Sequence, residues 1–255
     1  MIFGWEGFWF THPDDWAPAT LTGTRDMGYV RIASGGKMAC QVRWKKAESA
    51  RDLEKRLDAY LAKLKKDSKG SFDYGTEPTP LYLRYYYSGD LTGKGALFFD
   101  ELSKRVFFIE ISAAGNARLG TPLKEILGSF GSGKERWAMF GLDVCLPEPV
   151  KPEKKVLLSG RTQLLFGRRG VSVEAQRWAF GKQLIDKHGL EPWSRAALGM
   201  KKADAEVEDG RIAFTQSRLS KVFALSKFEE DRNQIVTLKV RSRQKKWRPE
   251  WDWLN

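Results

Sequence analysis

FDELSKRVFFIEI (99–111) and FEEDRNQIVTLKV (228–240) are the two stretches on which the fold reading turns. Laid over one another at a shift of 129 positions, Phe107, Ile109 and Ile111 face Val236, Leu238 and Val240, all on one strand parity. A one-residue slip would send every side chain to the opposite face, so shared parity argues for a shared strand. The same shift sets Leu83 against Ile212, Tyr85 against Phe214, Ser88 against Ser217 and Phe99 against Phe228. Earlier in the chain the shift is 134: Pro13 meets Pro147, Ile32 meets Phe166, Gly36 meets Gly170, and Arg43-Trp44 meets Arg177-Trp178. The expectation is one unit written twice, the second copy five residues shorter between the two blocks. Coincidence among the many offsets of a long chain is the competing reading.

Working outward, the first copy opens on an aromatic strand, Phe8-Trp9-Phe10, closed by the turn chemistry of HPDD (12–15). GYVRI (28–32) and MACQVRW (38–44), around SGGK (34–37), predict a hairpin. Ser49 followed by Asp52 has the spacing of a capping box. Leu53, Leu57, Tyr60, Leu61 and Leu64 then recur at helical spacing, which predicts a helix to about Lys66. LYLRYYY (81–87), GALFFDE (95–101) and RVFFIEI (105–111) predict three strands, with turns at 89–95 and 102–104. A short helix over 121–130 closes the copy, and GSGKER (131–136) reads as a linker. The domains are therefore expected at 1–130 and 137–255, each an α+β antiparallel-sheet-plus-helix sandwich.

The chain has 255 residues and a formal net charge of +12. Up to residue 136 there are 21 basic and 17 acidic side chains; beyond it there are 23 and 15. The excess lies mainly in the second copy and favours an acidic partner, or serves solubility alone. Two cysteines exclude a disulfide-stapled scaffold and a cysteine-only zinc site. No apolar run approaches the ~18 residues of a membrane span. The amino-terminal stretch lacks the basic start of a signal peptide and is interrupted by Gly4, Glu6 and Gly7, so a reducing cytoplasmic setting is expected.

The first copy resembles the PsbP/DcrB-like α/β/α sandwich superfamily. The resemblance rests on Pro13 to Trp16 as a P-x-x-W element after a strand, then a hairpin, a central helix, three strands and a helix of the form LKEILGSF (123–130). It covers roughly residues 5–130. The second copy departs from it, with Val150 where Trp16 would stand and a Trp-rich tail in place of the last helix. The resemblance implies a non-catalytic binding or assembly role and assigns no site residue.

Catalytic motifs do not accumulate. GSFGSGKE (128–135) approaches a phosphate-binding loop, but Glu135 stands where a Ser or Thr would hold magnesium. His12 and His188, the only imidazoles, fall in different copies, so no metal site and no cofactor are expected. Cys40 and Cys145 lie in apolar segments without a basic helix terminus to activate them. DAEVEDG (204–210) fails as a calcium loop and reads as a solvated turn into a strand starting at Arg211.

Two surfaces remain. In TLKVRSRQKKW (237–247), Lys239, Arg241, Arg243 and Lys245 share a parity and predict a cationic row, with Trp247, Trp251 and Trp253 following. Such a row tracks phosphates while aromatic faces stack bases; the plain alternative is a charged edge strand with a packed tail. In LYLRYYY, Tyr82 and Tyr86 share one face, Tyr85 and Tyr87 the other. One face meets the core helix, and the other is either covered or offered to a partner. The reading is a non-enzymatic adaptor or chaperone-like protein that grips a protein or peptide through its sheet faces, with Tyr82, Tyr86, Trp44 and Trp178 as partner-binding residues. The alternative is nucleic-acid binding through Lys239, Arg241, Arg243, Lys245 and Trp247.

Overall fold

A computed structural model describes residues 1–35, 38–115, 117–158, 160–217, 221–244 and 247–254. The chain divides into two units, Met1–Gly133 and Lys134–Asn255.

The first unit begins with a tight hairpin, β1 (Ile2–Trp5) and β2 (Phe8–Thr11). Seven strands then form an antiparallel sheet: β3 (Ala17–Gly23), β4 (Met27–Ser34), β5 (Met38–Lys46), β6 (Asp73–Pro78), β7 (Leu83–Ser88), β8 (Thr92–Asp100) and β9 (Arg105–Ala113). Their spatial order is β3-β4-β5-β9-β8-β7-β6. Helix α1 (Leu53–Asp67) lies between β5 and β6 in the chain, and α2 (Gly120–Ser129) follows β9. Strand parity sends the two faces of the sheet to different covers. On one face Tyr85, Tyr87, Leu97 and Val106 pack with Leu57 and Leu61 of α1, each buried leucine contributing about 1.5–3 kcal/mol. On the other, Trp44 and Phe107 pack on Phe8 of β2 and Phe107 on Phe130 at the end of α2.

The second unit repeats the plan. Its hairpin is β11 (Glu135–Met139) and β12 (Leu142–Leu146). The sheet holds β13 (Lys151–Leu158), β14 (Arg161–Arg168), β15 (Val171–Ala179), β16 (Asp204–Glu208), β17 (Arg211–Ser217), β18 (Lys221–Glu229) and β19 (Gln234–Ser242), in the order β13-β14-β15-β19-β18-β17-β16. Two helices, α3 (Gly181–His188) and α4 (Leu190–Leu198), take the chain position of α1. Leu198 and Met200 pack on Ile212, Phe214 and Ala224. A 3₁₀ turn, Trp251–Trp253, lies near the end of the unit, and Leu254 bridges to Val144.

Turn chemistry matches between the units. Glu6-Gly7 and Phe140-Gly141 both have positive φ at two central residues, the pairing that suits the right-handed twist of a two-residue hairpin. They lie 134 positions apart. Lys104 and Asn233, 129 apart, both sit in the left-handed region just before β9 and β19. The first residue of each of those strands then holds the tip of its unit's hairpin. Arg105 donates to the Glu6 and Gly7 carbonyls at 2.8 and 3.3 Å. Gln234 donates to the Gly141 carbonyl at 2.9 Å.

Several sequence expectations are corrected. Within the expected linker, 131–136, the division between the units falls after Gly133, while Gly131–Ser132 forms β10, paired with β2, and Glu135 opens β11. Arg136 makes two bonds to Asp143, at 2.6 and 3.0 Å. The capping box is not formed either. Asp52 sits in the left-handed region without a side-chain cap, and the Ser49 hydroxyl accepts from the Arg51 amide instead. Residues 204–208 are a paired edge strand, not a turn. Charged side chains there suit an edge, where they oppose pairing with another chain. Strand β8 begins at Thr92, three residues before the expected Gly95.

Candidate functional site

Strand β7 is where the two faces of the first unit become chemically distinct. Tyr85 and Tyr87 point under α1 and are buried. Their hydroxyls, and that of Tyr60 on α1, converge on one carboxylate, that of Glu110 in β9. Tyr60 donates at 2.6 Å and Tyr85 at 3.0 Å to Oε2, and Tyr87 donates at 3.0 Å to Oε1. A buried carboxylate needs such donors, because removing it from water without partners costs several kcal/mol (~3–5). Burial, then the Glu110 charge, push all three phenols far above their ordinary pKa. Phenols held protonated donate hydrogen bonds and do not abstract protons. A space of about 10 Å³ lies here, bordered by Gln41, Arg43 and Phe108, room for a single water. The cluster is an anchor that ties α1 to the sheet.

Glycines make this anchor fit. A Cβ on Gly93 would lie 2.2 Å from the Tyr87 ring, and one on Gly95 2.4 Å from the Tyr85 hydroxyl. Both glycines sit directly across the ladder from those tyrosines, so each ring tip occupies the space a side chain there would take.

The opposite face of β7 is open. Tyr82, Arg84 and Tyr86 of the β7 segment, Lys94 of β8, and Leu123 and Lys124 of α2 line a half-open groove of about 270 Å³. Tyr86 is 48 % exposed and lies over Gly75 of β6, whose Cβ would fall 2.5 Å from the ring. Tyr82 is fixed from behind. Its amide donates to the Thr79 hydroxyl, which donates to the Tyr82 carbonyl at 2.7 Å. Arg84 stands over the Tyr82 ring at 5.4 Å and donates to its hydroxyl at 3.2 Å. That bond raises the guanidinium pKa further. Leu123 and Leu127 project from one side of α2 at i, i+4, giving the groove an apolar wall. It combines aromatic faces, aliphatic surface and cationic rim, the mixture expected where a ligand is oriented by a few polar groups against an apolar floor.

Of the residues expected to bind a partner, the structure brings Tyr82 and Tyr86 together here and places the two tryptophans elsewhere. Trp44 is buried against Phe8, with its Nε1 donating to the Thr24 carbonyl at 2.8 Å. Trp178 lies on the opposite sheet face from the position Trp44 occupies. In the ladders Trp44 pairs with Phe107, whereas Val236, the counterpart of Phe107, pairs with Arg177. The turn between β4 and β5 spans three residues and that between β14 and β15 two, so the shift falls to 133 along β15. Trp178 is thereby turned to the helix side, where it meets Trp193 edge-on at 5.5 Å and Arg161 at 4.3 Å. Gly36, used in the expected alignment, lies outside the described residues.

The cationic row is not continuous. Strand β19 is central, paired on both sides, and is not an edge. Lys239 donates to the Leu198 carbonyl at the end of α4 at 2.5 Å. Arg241 and Arg243 are exposed, but β19 ends at Ser242, so the strand parity does not carry on to Arg243. Lys245 lies outside the described residues. Trp247 is fully buried and packs edge-on with Trp253 at 6.1 Å, so it offers no face to a base.

Cys40 is buried, and desolvation, with the Glu110 charge, pushes its thiol far up; burial raises Cys145 too. Neither is an activated thiolate. No described helix is long and apolar enough to cross a membrane. Glu110, Tyr60 and the α2 side of the groove were missed by sequence reasoning. The available signals were one acid within the apolar run RVFFIEI and the alternation Gly93-Lys94-Gly95 opposite three tyrosines.

No family model matches the chain, and a search of curated proteins finds no relative. Among solved structures, the crystal structure of DynU16, a protein of the dynemicin biosynthetic locus, aligns over 95 % of this chain and 89 % of its own, at 9 % identity and a TM-score of 0.16. That likeness is too slight to bear on fold or site.

Proposed function

We propose that this chain is a non-enzymatic adaptor or chaperone-like protein that holds a protein or peptide segment on the first unit's sheet, in the groove beside α2. The supporting observation is the half-exposed Tyr86, lying over Gly75 in a groove also lined by Leu123 and Leu127, with Arg84, Lys94 and Lys124 around it. Exposed aromatic and aliphatic surface ringed by charge is the usual composition of an interaction site. The proposal includes descent from one PsbP/DcrB-like module duplicated in tandem, supported by equal strand order and matched turns. It also includes a reducing, cytoplasmic setting, in keeping with two unpaired cysteines. Phosphate binding by the basic carboxy-terminal strand has less support, since Lys239 is engaged by a helix carbonyl and Trp247 is buried.

Panning a random peptide display library against the folded full chain tests this. Enriched peptides are expected to lose binding to Tyr86→Ala by about tenfold or more, the scale of one aromatic contact. Tyr86 is exposed, so the variant keeps its fold. If no enriched peptide depends on Tyr86, Leu123 or Leu127, the proposal fails.

A further inference from the structure

We infer that the groove selects an acidic segment: a peptide with one large apolar side chain bracketed by carboxylates. This rests on the peptide-binding reading and names the chemistry of the partner.

The groove has a directional layout. Tyr86 lies between Gly75 on one neighbouring strand and Lys94 on the other, both directly opposite it in the ladder. The Lys94 stem therefore rises beside the Tyr86 ring, and its ammonium reaches the rim. Arg84 sits two residues away on the same face of β7, opposite Glu77 of the edge strand. Lys124 faces them from α2. Three cations thus surround the floor from three elements, and Glu77 is the acidic side chain in the lining. It does not neutralise them: its closest approach to Arg84 is 4.0 Å, with both side chains well exposed, an arrangement that contributes little. The resulting field is positive over an apolar floor.

Volume limits the occupant. About 270 Å³ lies just below the range of pockets that enclose a whole small molecule, ~300–1,000 Å³. One aromatic or long aliphatic side chain fills it, placed against Tyr82, Tyr86, Leu123 and Leu127. The backbone on either side then runs over the rim, within reach of Arg84 and Lys94 on one flank and Lys124 on the other. Carboxylates there meet guanidinium and ammonium groups, while lysines meet like charge. Gly120, at the start of α2, leaves the mouth open: a Cβ at this position meets nothing within 4 Å.

The test uses the full chain and three labelled peptides of equal length with a central Trp, flanked by Asp/Glu, by Ser/Gln or by Lys, titrated by fluorescence anisotropy. The acidic peptide is expected to bind about tenfold tighter than the neutral one, with the lysine peptide weakest. That preference shrinks as salt is raised, because rim charges are screened over roughly 8–10 Å at physiological ionic strength. Lys94→Glu and Lys124→Glu each reduce acidic-peptide affinity by about tenfold, and Gly120→Phe, which plugs the mouth without crowding the fold, abolishes binding. Equal affinity for acidic and lysine peptides overturns the inference. So does acidic-peptide binding that ignores Tyr86→Ala and Gly120→Phe, which would place it on the general positive surface. Should panning return Tyr86-dependent peptides without carboxylates, the acidic preference falls and the peptide-binding role stands. Should no peptide depend on Tyr86, Leu123 or Leu127, both fall.

Discussion

At the centre of the first unit's sheet, β9 turns an acid towards α1; at the matching place in the second, β19 turns a base towards α4. Glu110 and Lys239 lie 129 positions apart, and each pairs with matching neighbours, Gln41 and Gly95 in one ladder, Glu174 and Ala224 in the other. The surroundings change with the charge. Where Tyr85 donates its hydroxyl to Glu110, the second unit has Phe214; where Gly95 leaves room for the Tyr85 ring tip and hydroxyl, both 2.4 Å from a Cβ there, the second unit has Ala224. The lysine instead ends on a helix carbonyl, where the partial negative charge of a helix terminus favours a cation. One backbone thus carries two polar solutions, each a matched set. The groove differs as well: Tyr86 and Lys94 have Thr215 and Phe223 as counterparts, and Phe223 has the Arg248 guanidinium over its ring at 5.7 Å, so the tyrosine–lysine pair of the first unit's groove is replaced there.

The largest expected effect comes from breaking the acid side of this pair. Glu110→Leu leaves two buried phenols and the half-buried Tyr60 without their acceptor, at about 1–3 kcal/mol for each buried group, so the first unit should lose on the order of 4 kcal/mol. Lys239→Leu removes one bond from a half-buried group and should cost about 1 kcal/mol. Urea unfolding followed by hydrogen exchange at the amides of β9 and β19 separates the two. Equal losses would show that the tyrosine cluster is not the anchor described.

How much of this was written in the sequence depends on what each feature needs. Strand parity needs only local alternation, and so the Tyr82/Tyr86 and Tyr85/Tyr87 split over β7 could be read directly. Helix α1 was readable from its leucine spacing. The register of β15 was not, because it rests on one residue more or less in a turn, and a shift of 134 instead of 133 put Trp178 on the wrong face. The basic row was legible only as a parity: nothing local says that α4 takes up Lys239 while Arg241 stays exposed, or that β19 is central. Glu110 looked like a single acid in an apolar strand, since its three donors come from α1 and β7, residues 60, 85 and 87. The groove was half legible, its strand side from alternation. Its α2 side depends on how a helix 26 or more residues downstream of those strand residues is packed.

A second contrast lies at the hairpin tips. Arg105 holds two carbonyls of its turn and a third at Arg25, and its guanidinium stands 5.1 Å from the Phe107 ring. Arg105→Ala should destabilise the first unit by on the order of 3 kcal/mol, as charge-assisted bonds and buried contacts go together. Gln234→Ala, with one bond to its turn, should cost about 1–2 kcal/mol. Thermal unfolding of the two variants gives the order, and a reversed order would break the equivalence of the clamps.

A smaller effect, about 2 kcal/mol, is expected from Gly95→Ala, the second unit's residue, because its methyl overpacks against the Tyr85 ring tip and hydroxyl and the Ile109 carbonyl. Combining it with Tyr85→Phe imports two members of the Phe214–Ala224–Lys239 set. The double variant should lose less than the sum of the singles, the mark of coupled neighbours. Strict additivity in denaturant melts would mean that the glycine serves the backbone alone.

The smallest effect is a pH slope that should belong to one unit only. His12 closes β2 in a buried position, and its counterpart 134 positions on is Leu146. Its ring Nδ1 is 2.8 Å from the Pro13 carbonyl. Burial holds the imidazole pKa below the ordinary 6.5, outweighing that hydrogen bond, which acts to raise it. Folding therefore favours the neutral ring. Below pH 6.5 the unfolded chain binds a proton that the folded one resists, so stability is full above 6.5 and is lost as pH falls towards the depressed folded value. Denaturant midpoints between about pH 7 and pH 5 should decline for the intact chain and decline less for His12→Leu, with the difference confined to hydrogen exchange in β1 and β2. A slope unchanged by His12→Leu would assign the acid sensitivity to the carboxylates that both units carry.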